Sequence, residues 1–125
     1  VPPESDVARK FTDLVNVIAS GTASQEQWQV ARNWLVLWRD NDAKLRPVLE
    51  RSDLTQELKP LSQSMSQVAA IGLQALDDLQ NHRVVSTDAR QKNLEFLQTA
   101  AKPQAVLVDM IVPPVTLLVQ ATRTQ

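Results

Sequence analysis

Apolar side chains recur at steps of three and four residues along most of this chain, which is the spacing of one face of an α-helix. The longest run comprises Leu61, Met65, Val68, Gly72 and either Ala75 or Leu76. Shorter runs comprise Val7, Phe11, Leu14 or Val15 and Ile18, then Trp28, Ala31, Leu35 and Trp38, and finally Leu94, Leu97 and Ala101. Turn signals are too widely spaced for a β-sandwich, which needs one about every 8–12 residues. The pattern predicts an all-α fold, an antiparallel helical bundle of about five or six helices with no sheet.

Residues that begin and end helices divide this pattern. Ser5 is placed to cap the first helix, and Gly21 to end it in the left-handed conformation that glycine adopts without strain. Ser24 and Gln27 form a capping-box pattern at the start of the second helix. The cluster Ser86-Thr87-Asp88 predicts a further helix start. These signals predict short connections between the helices.

Gly72 lies inside the longest apolar run, where its low helix propensity costs free energy. We interpret this glycine as a point where a neighbouring helix approaches closely.

Prolines set the other predicted boundaries. Pro47 is expected to kink or restart the second helix, because proline removes a backbone donor and crowds the preceding turn. Ser52 or Asp53 would then cap a short helical turn through Leu58, and Pro60 would begin the next long helix.

Near the carboxyl end, Pro103 is expected to break a helix. Residues 104–112 and 114–121 then form two separate predicted helices, with Pro114 in the first turn of the second. An extended segment is the alternative there, because Ile111, Val112 and Val115 are β-branched.

The composition indicates one globular domain over residues 1–125. The chain is 43% hydrophobic and 22% charged, which suffices for a core without disulfide or metal support. Its 13 basic and 14 acidic residues offer little attraction to phosphates, so no nucleic-acid partner is predicted. No apolar run is long enough for a membrane span. The lack of cysteine excludes disulfides, thiolate metal sites and a thiol nucleophile.

Residue types that build catalytic and metal sites are scarce. His82 is the sole histidine, and its place at a predicted helix end fits the attraction of the helix dipole for positive charge. Asp77 and Asp78 are adjacent on a helix, so their side chains diverge by about 100° and do not flank one bond. The run Asp40-Asn41-Asp42 lacks the turn glycine of a calcium loop, and Arg51 stands where its glutamate belongs. We predict no catalytic residue, no metal site and no cofactor.

Three tryptophans form the most distinctive group. Trp28, Trp34 and Trp38 precede Asp40 and Asn41 closely, and aromatic rings beside polar side chains could form a platform for a sugar. Tryptophans at helical spacing are more often core residues, and a chain with two Phe and no Tyr has few other large side chains. We interpret the tryptophans as core or interdomain contacts, with carbohydrate contact by these five residues as the alternative.

Several segments go beyond generic helix patterning. They are Trp34-Leu35-Val36-Leu37-Trp38-Arg39-Asp40-Asn41-Asp42, Leu45-Arg46-Pro47, Glu57-Leu58-Lys59-Pro60-Leu61-Ser62, Ile71-Gly72-Leu73-Gln74-Ala75-Leu76 and Ile111-Val112-Pro113-Pro114-Val115. In order and spacing they resemble the helical region that follows the catalytic barrel in bacterial family-20 glycoside hydrolases, the β-N-acetylhexosaminidases. The resemblance covers residues 28–121.

The resemblance implies a non-catalytic accessory domain of an enzyme of carbohydrate metabolism, which packs on the catalytic domain of its parent or extends the substrate cleft. It also implies a periplasmic or secreted location. In that family an Asp directly before the acid/base Glu orients the acetamido group that attacks the sugar carbon. No Asp-Glu dipeptide occurs in this chain, so the family's catalytic residues have no counterpart here.

Two other functions stay open on the residues alone. One is a helical interaction module that presents a groove to a partner helix, and the other is a carbohydrate-binding module that uses the tryptophans. The start Val1-Pro2-Pro3-Glu4 has no initiator Met, which favours a fragment of a longer chain. We expect such a fragment to expose an apolar patch, formed by residues 111–118 or by the helix that carries Trp28.

Overall fold

The computed structural model describes the backbone of residues 3–49 and 55–124, and the side chains of residues 9–40, 61, 63–105 and 108–124. Within these ranges the elements are α1 (Pro3–Ala19), α2 (Gln25–Leu49), α3 (Thr55–Gln80), β1 (Val84–Val85), α4 (Thr87–Ala100), α5 (Val106–Ala121) and β2 (Arg123–Thr124). The predicted all-α bundle of five or six helices is confirmed, with five helices in the described chain.

The helices run alternately up and down. The last residues of α1, α3 and α5 line one recess together with the first residue of α2. Arg90, in the first turn of α4, donates a hydrogen bond to the carbonyl of Gln120 near the end of α5. Consecutive helices are therefore antiparallel, while α1, α3 and α5 share one direction.

A short parallel pairing of β1 with β2 follows from this arrangement. Val84 pairs with Arg123, and Val85 with Thr124. Each strand directly follows one of two helices that end side by side, so both leave the bundle in the same direction. The prediction that the chain has no sheet is therefore wrong, because β1 and β2 form a two-stranded sheet.

The core lies between α1, α2, α3 and α5. The most extensive helix packing joins α2 to α3, and α5 packs against both α3 and α1. Fully buried apolar side chains come from all five helices: Val15, Leu35, Val68, Leu76, Leu97, Val108, Ile111, Val115 and Leu118. Most predicted inward residues of the first three helices are buried where their side chains are described, whereas Leu14, Trp28, Trp38 and Leu61 are only partly buried.

Gly72 marks the point where three helices meet. A methyl group on this residue of α3 would stand 3.0 Å from Val115 Cγ2 of α5, and 3.1 and 3.2 Å from the two methyl carbons of Leu35 of α2. These distances are shorter than ordinary van der Waals contact between carbon atoms. The prediction that a neighbouring helix approaches closely here is confirmed, and two neighbours do so.

Three of the predicted helix boundaries are confirmed, at Ser24, Ser86 and Gly21. Ser24 N–H donates to Gln27 Oε1 at 2.9 Å, and Gln27 N–H donates to Ser24 Oγ at 3.2 Å, which is the reciprocal bonding of a capping box. Ser86 Oγ accepts from Ala89 N–H at 3.1 Å at the start of α4. Gly21 follows α1 with a φ of 79°, the left-handed conformation expected of it.

Prolines interrupt the helices less than the sequence predicts. Pro60 lies inside α3, which begins at Thr55, and Pro47 lies inside α2, which continues to Leu49. The predicted caps Ser52 and Asp53 lie outside the described residues. The first helix begins at Pro3, two residues before the predicted cap Ser5.

The segments 104–112 and 114–121 form one helix, α5, which contains Pro113 and Pro114. The prediction of two helices is therefore wrong. The proline pair removes two backbone donors, but buried side chains on both sides of it hold the segment against the core: Ile111, Val112, Val115 and Leu118.

In α4 the predicted inward residue Ala101 is exposed and Ala100 is buried instead, because the helix ends at Ala100.

Gly72→Ala should lower the free energy of unfolding by about 1–2 kcal/mol, because the new methyl group overpacks the contact with Leu35 and Val115. This loss is expected although alanine is the better helix former by about 1 kcal/mol. Urea denaturation followed by circular dichroism measures the change.

The matched control is Ala70→Gly at an exposed position of the same helix. It should cost about 1 kcal/mol from helix propensity alone. If Gly72→Ala were as stable as the parent chain, the close approach of the three helices would be contradicted.

Candidate functional site

Helix α2 is apolar on two sides. Ala31 and Leu35 are fully buried in the core, whereas Val30 and Leu37 are 52% and 55% exposed. Val30, Trp34 and Leu37 follow one another at steps of four and three residues, and Trp38 follows Trp34 at a step of four, so the four lie within an arc of about 100° of the helix surface. We call these four residues the outer face of α2. Apolar residues on more than one side of a helix indicate a second packing surface.

The tryptophan rings of the outer face are linked to the core by a contact with Phe11 of α1. Trp34 stacks on the buried ring of Phe11, with ring centroids 5.4 Å apart and an angle of 26° between the planes. Trp38 lies 6.5 Å from Trp34 at an angle of 56°. Both tryptophans are partly buried against the core. They therefore lie at its border, neither fully enclosed nor free in solvent.

The indole nitrogen of Trp34 is buried and has no hydrogen-bond partner among the described residues. A buried tryptophan N–H usually finds an acceptor, and leaving it unpaired costs about 1–3 kcal/mol. The outer face thus combines exposed apolar surface with a buried donor that no described residue pairs.

Of the two polar residues predicted to accompany the tryptophans, Asp40 is paired with its chain neighbour Arg39. The Asp40 carboxylate accepts a hydrogen bond from Arg39 Nε at 3.0 Å, and both side chains are about half exposed. Such a surface ion pair contributes at most about 1 kcal/mol. The side chain of Asn41 lies outside the described residues.

Trp28 is separated from the other two tryptophans. It lines the recess at the end of the bundle, beside Ile18 of α1 and Leu79 of α3. Six residues, or about 9 Å of helix rise, separate it from Trp34. The three rings therefore belong to two different surfaces.

Residues 111–118 do not form an exposed patch. Ile111, Val112, Val115 and Leu118 face inward, so this expectation from the sequence is wrong. The helix instead contributes Pro113 and Leu117 to a groove of about 510 Å³ against Leu94 and Leu97 of α4. The groove is a second apolar surface feature of the bundle.

The acidic side chains near the end of α3 serve local structure. Asp77 Oδ2 accepts a hydrogen bond from Arg83 Nη1 at 2.6 Å, and Asp78 Oδ1 accepts one from Gln74 Nε2 at 3.1 Å. His82 is exposed just after the helix. Among the described side chains, no group of three His, Asp or Glu residues is placed to hold a metal ion.

Comparisons with known proteins return no relative. No protein-family model, no curated protein and no solved structure matches this chain. Within the described residues, no helix is long and apolar enough to cross a membrane.

Sequence reasoning selected Trp34 and Trp38 but missed Val30 and Leu37. The signal was present, because Val30 and Leu37 are seven residues apart and flank Trp34 on the same side of the helix. The outer face is hard to recognise in the sequence, because residues 34–38 are all large and apolar and so place such side chains on every side of the helix.

Trp34→Ala should lower the free energy of unfolding by about 3 kcal/mol, because it removes a large ring stacked on Phe11. Trp34→Phe should cost clearly less, because it keeps a ring in contact with Phe11 and removes an N–H that has no partner among the described side chains. Urea denaturation measures both.

Leu37→Ala on the same helix is the control for an exposed side chain, and it should change stability by no more than about 0.5 kcal/mol. Equal effects of Trp34→Ala and Leu37→Ala would contradict the structural role of the Trp34 ring.

Proposed function

We propose that this chain is a non-catalytic helical accessory domain that packs on a neighbouring catalytic domain through the outer face of α2. The observation that carries the proposal is the exposure of Val30 and Leu37 beside two tryptophans on one side of a single helix. A helix that packs only within its own bundle typically carries polar residues on its outer side.

The character of this face suits a permanent contact between domains. Large aromatic and aliphatic side chains dominate the buried centres of stable interfaces. Complete burial of a leucine or valine side chain contributes about 1.5–3 kcal/mol. An acceptor from the neighbouring domain would also pair the indole N–H of Trp34, which has no partner among the described residues.

The resemblance to the helical region of family-20 glycoside hydrolases supplies the proposed neighbour. That neighbour is the catalytic barrel of a β-N-acetylhexosaminidase, in a periplasmic or secreted enzyme of carbohydrate metabolism. The Asp-Glu pair that such an enzyme needs would lie in the barrel, since this chain has none. In this proposal the bundle packs on the barrel and stabilises it.

The groove between α4 and α5 supports a second candidate function. Its lining includes Leu94, Leu97, Pro113 and Leu117, and an apolar groove between two helices suits the apolar side of an amphipathic partner helix. Under this alternative the chain is an interaction module, and the outer face of α2 would stay in solvent.

Leu37→Lys tests the proposed contact in the product of the complete gene. The charge should separate the bundle from its neighbour, because an unpaired ammonium is costly to bury. We expect the single cooperative thermal transition of the joined domains to split into two in calorimetry.

Gln29→Lys, at an exposed position on another side of the same helix, is the matched control and should leave one transition. If Leu37→Lys behaved like Gln29→Lys, the outer face would not be the contact. A gene that encodes no barrel with an Asp-Glu pair beside this chain would remove the glycosidase from the proposal.

A further inference from the structure

A recess lies at the end of the bundle where α1, α3 and α5 end and α2 begins. Its volume is about 380 Å³, within the range of small-molecule sites. The last residues of the three ending helices, Ala19, Gln80 and Ala121, line it together with Gln25, the first residue of α2. The recess is therefore built from helix ends, and it is separate from the outer face of α2.

The recess is lined by Trp28, by small and aliphatic side chains such as Ile18 and Leu79, and by several polar residues. Trp28 supplies a partly buried indole. Gln80 is held in place by a 2.7 Å hydrogen bond from Arg32 Nη2 to its Oε1, which leaves its amide N–H groups free to donate. Asp78 is held by Gln74. The recess thus places an indole side chain beside donors and acceptors that neighbouring residues hold in position.

The charges around the recess nearly cancel. Three helix carboxyl ends contribute partial negative charge and the amino end of α2 contributes partial positive charge, and Asp78 adds a carboxylate. Arg83 and Arg123 also line the recess, and Arg83 lies 2.6 Å from Asp77 and 3.9 Å from Asp78. This balance gives an anion no advantage, while the Asp78 carboxylate and the side-chain amides of Gln25 and Gln80 suit a neutral ligand with hydroxyl groups.

His82 occupies a position where glycine is the favoured residue. Its φ is 54°, and the bonds from Arg83 N–H to Asp78 C=O and from His82 N–H to Leu79 C=O form a left-handed helix stop. A non-glycine residue in this conformation carries strain. The imidazole lines the recess, so contact with a ligand would explain a histidine at this position.

We propose that the recess binds one unit of a neutral sugar, with the apolar side of the sugar ring against Trp28 and its hydroxyl groups bonded to Gln25, Gln80 and His82. A pyranose combines an apolar side with hydroxyl groups around its edge, which matches an aromatic wall beside balanced polar groups. This inference does not depend on the proposed docking of the outer face of α2, and either can fail without the other.

The test is a titration of the isotope-labelled chain with glucose, galactose and N-acetylglucosamine, in which NMR measures the change of each backbone amide chemical shift. Glucuronate serves as the anionic probe and sorbitol as the open-chain probe. Neutral pyranoses should shift amides of the residues that line the recess. Gln25→Ala and His82→Gly should each weaken binding several-fold, and His82→Gly should also raise the thermal midpoint. Trp28→Phe should weaken binding further, and Trp38→Phe on the outer face should leave it unchanged.

Several results would overturn the proposal. They are the absence of recess shifts with every pyranose, tighter binding of glucuronate or sorbitol, and equal binding by the parent chain and the Gln25→Ala and His82→Gly variants. Shifts centred on Trp34 and Trp38 would also overturn it, because they would assign sugar binding to the outer face.

Discussion

The contact of Gly72 with Leu35 and Val115 is the constraint on which the rest of the structure depends. At this point α3 approaches α2 and α5 so closely that a single added methyl group would meet side chains of both. Leu35 and Val115 are fully buried there, so the three helices share one centre. Helix α1 then packs mainly on α5, and α4 packs on α5 and α3. The glycine costs helix propensity, and close packing of three helices offsets that cost.

The surfaces that can meet other molecules follow from this centre. Because α2 turns Ala31 and Leu35 toward α3, its opposite residues Val30 and Leu37 point away from the bundle. Trp34 lies between the two sides and joins the outer face to the core through Phe11. The alternating helix directions bring three carboxyl ends together and form the recess beside Trp28. Docking is thus proposed for the outer face of α2, and ligand binding for the recess that the start of α2 forms with the ends of α1, α3 and α5.

The sequence predicted most of the fold because its signals were local. The capping box at Ser24 and the apolar spacing from Met65 to Leu76 needed no knowledge of tertiary contacts. The errors arose where tertiary packing outweighed a local rule, as at Pro113 and Pro114, which lie inside α5 because the surrounding side chains are buried. The recess was not predictable, because residues as distant as Gln25 and Arg123 meet there only in the folded chain.

The most direct test of the account is the accessibility of Leu37 inside the complete gene product. Because this chain has no cysteine, Leu37→Cys introduces one reactive position into it, and Lys92→Cys at an exposed site of α4 provides the reference. Mass spectrometry of the labelled peptides gives the alkylation rate at each site, in the isolated chain and in the complete protein. If the outer face of α2 is the contact between domains, both sites are labelled fast in the isolated chain, and position 37 alone is strongly protected in the complete protein. Equal labelling of the two positions in the complete protein would contradict this contact.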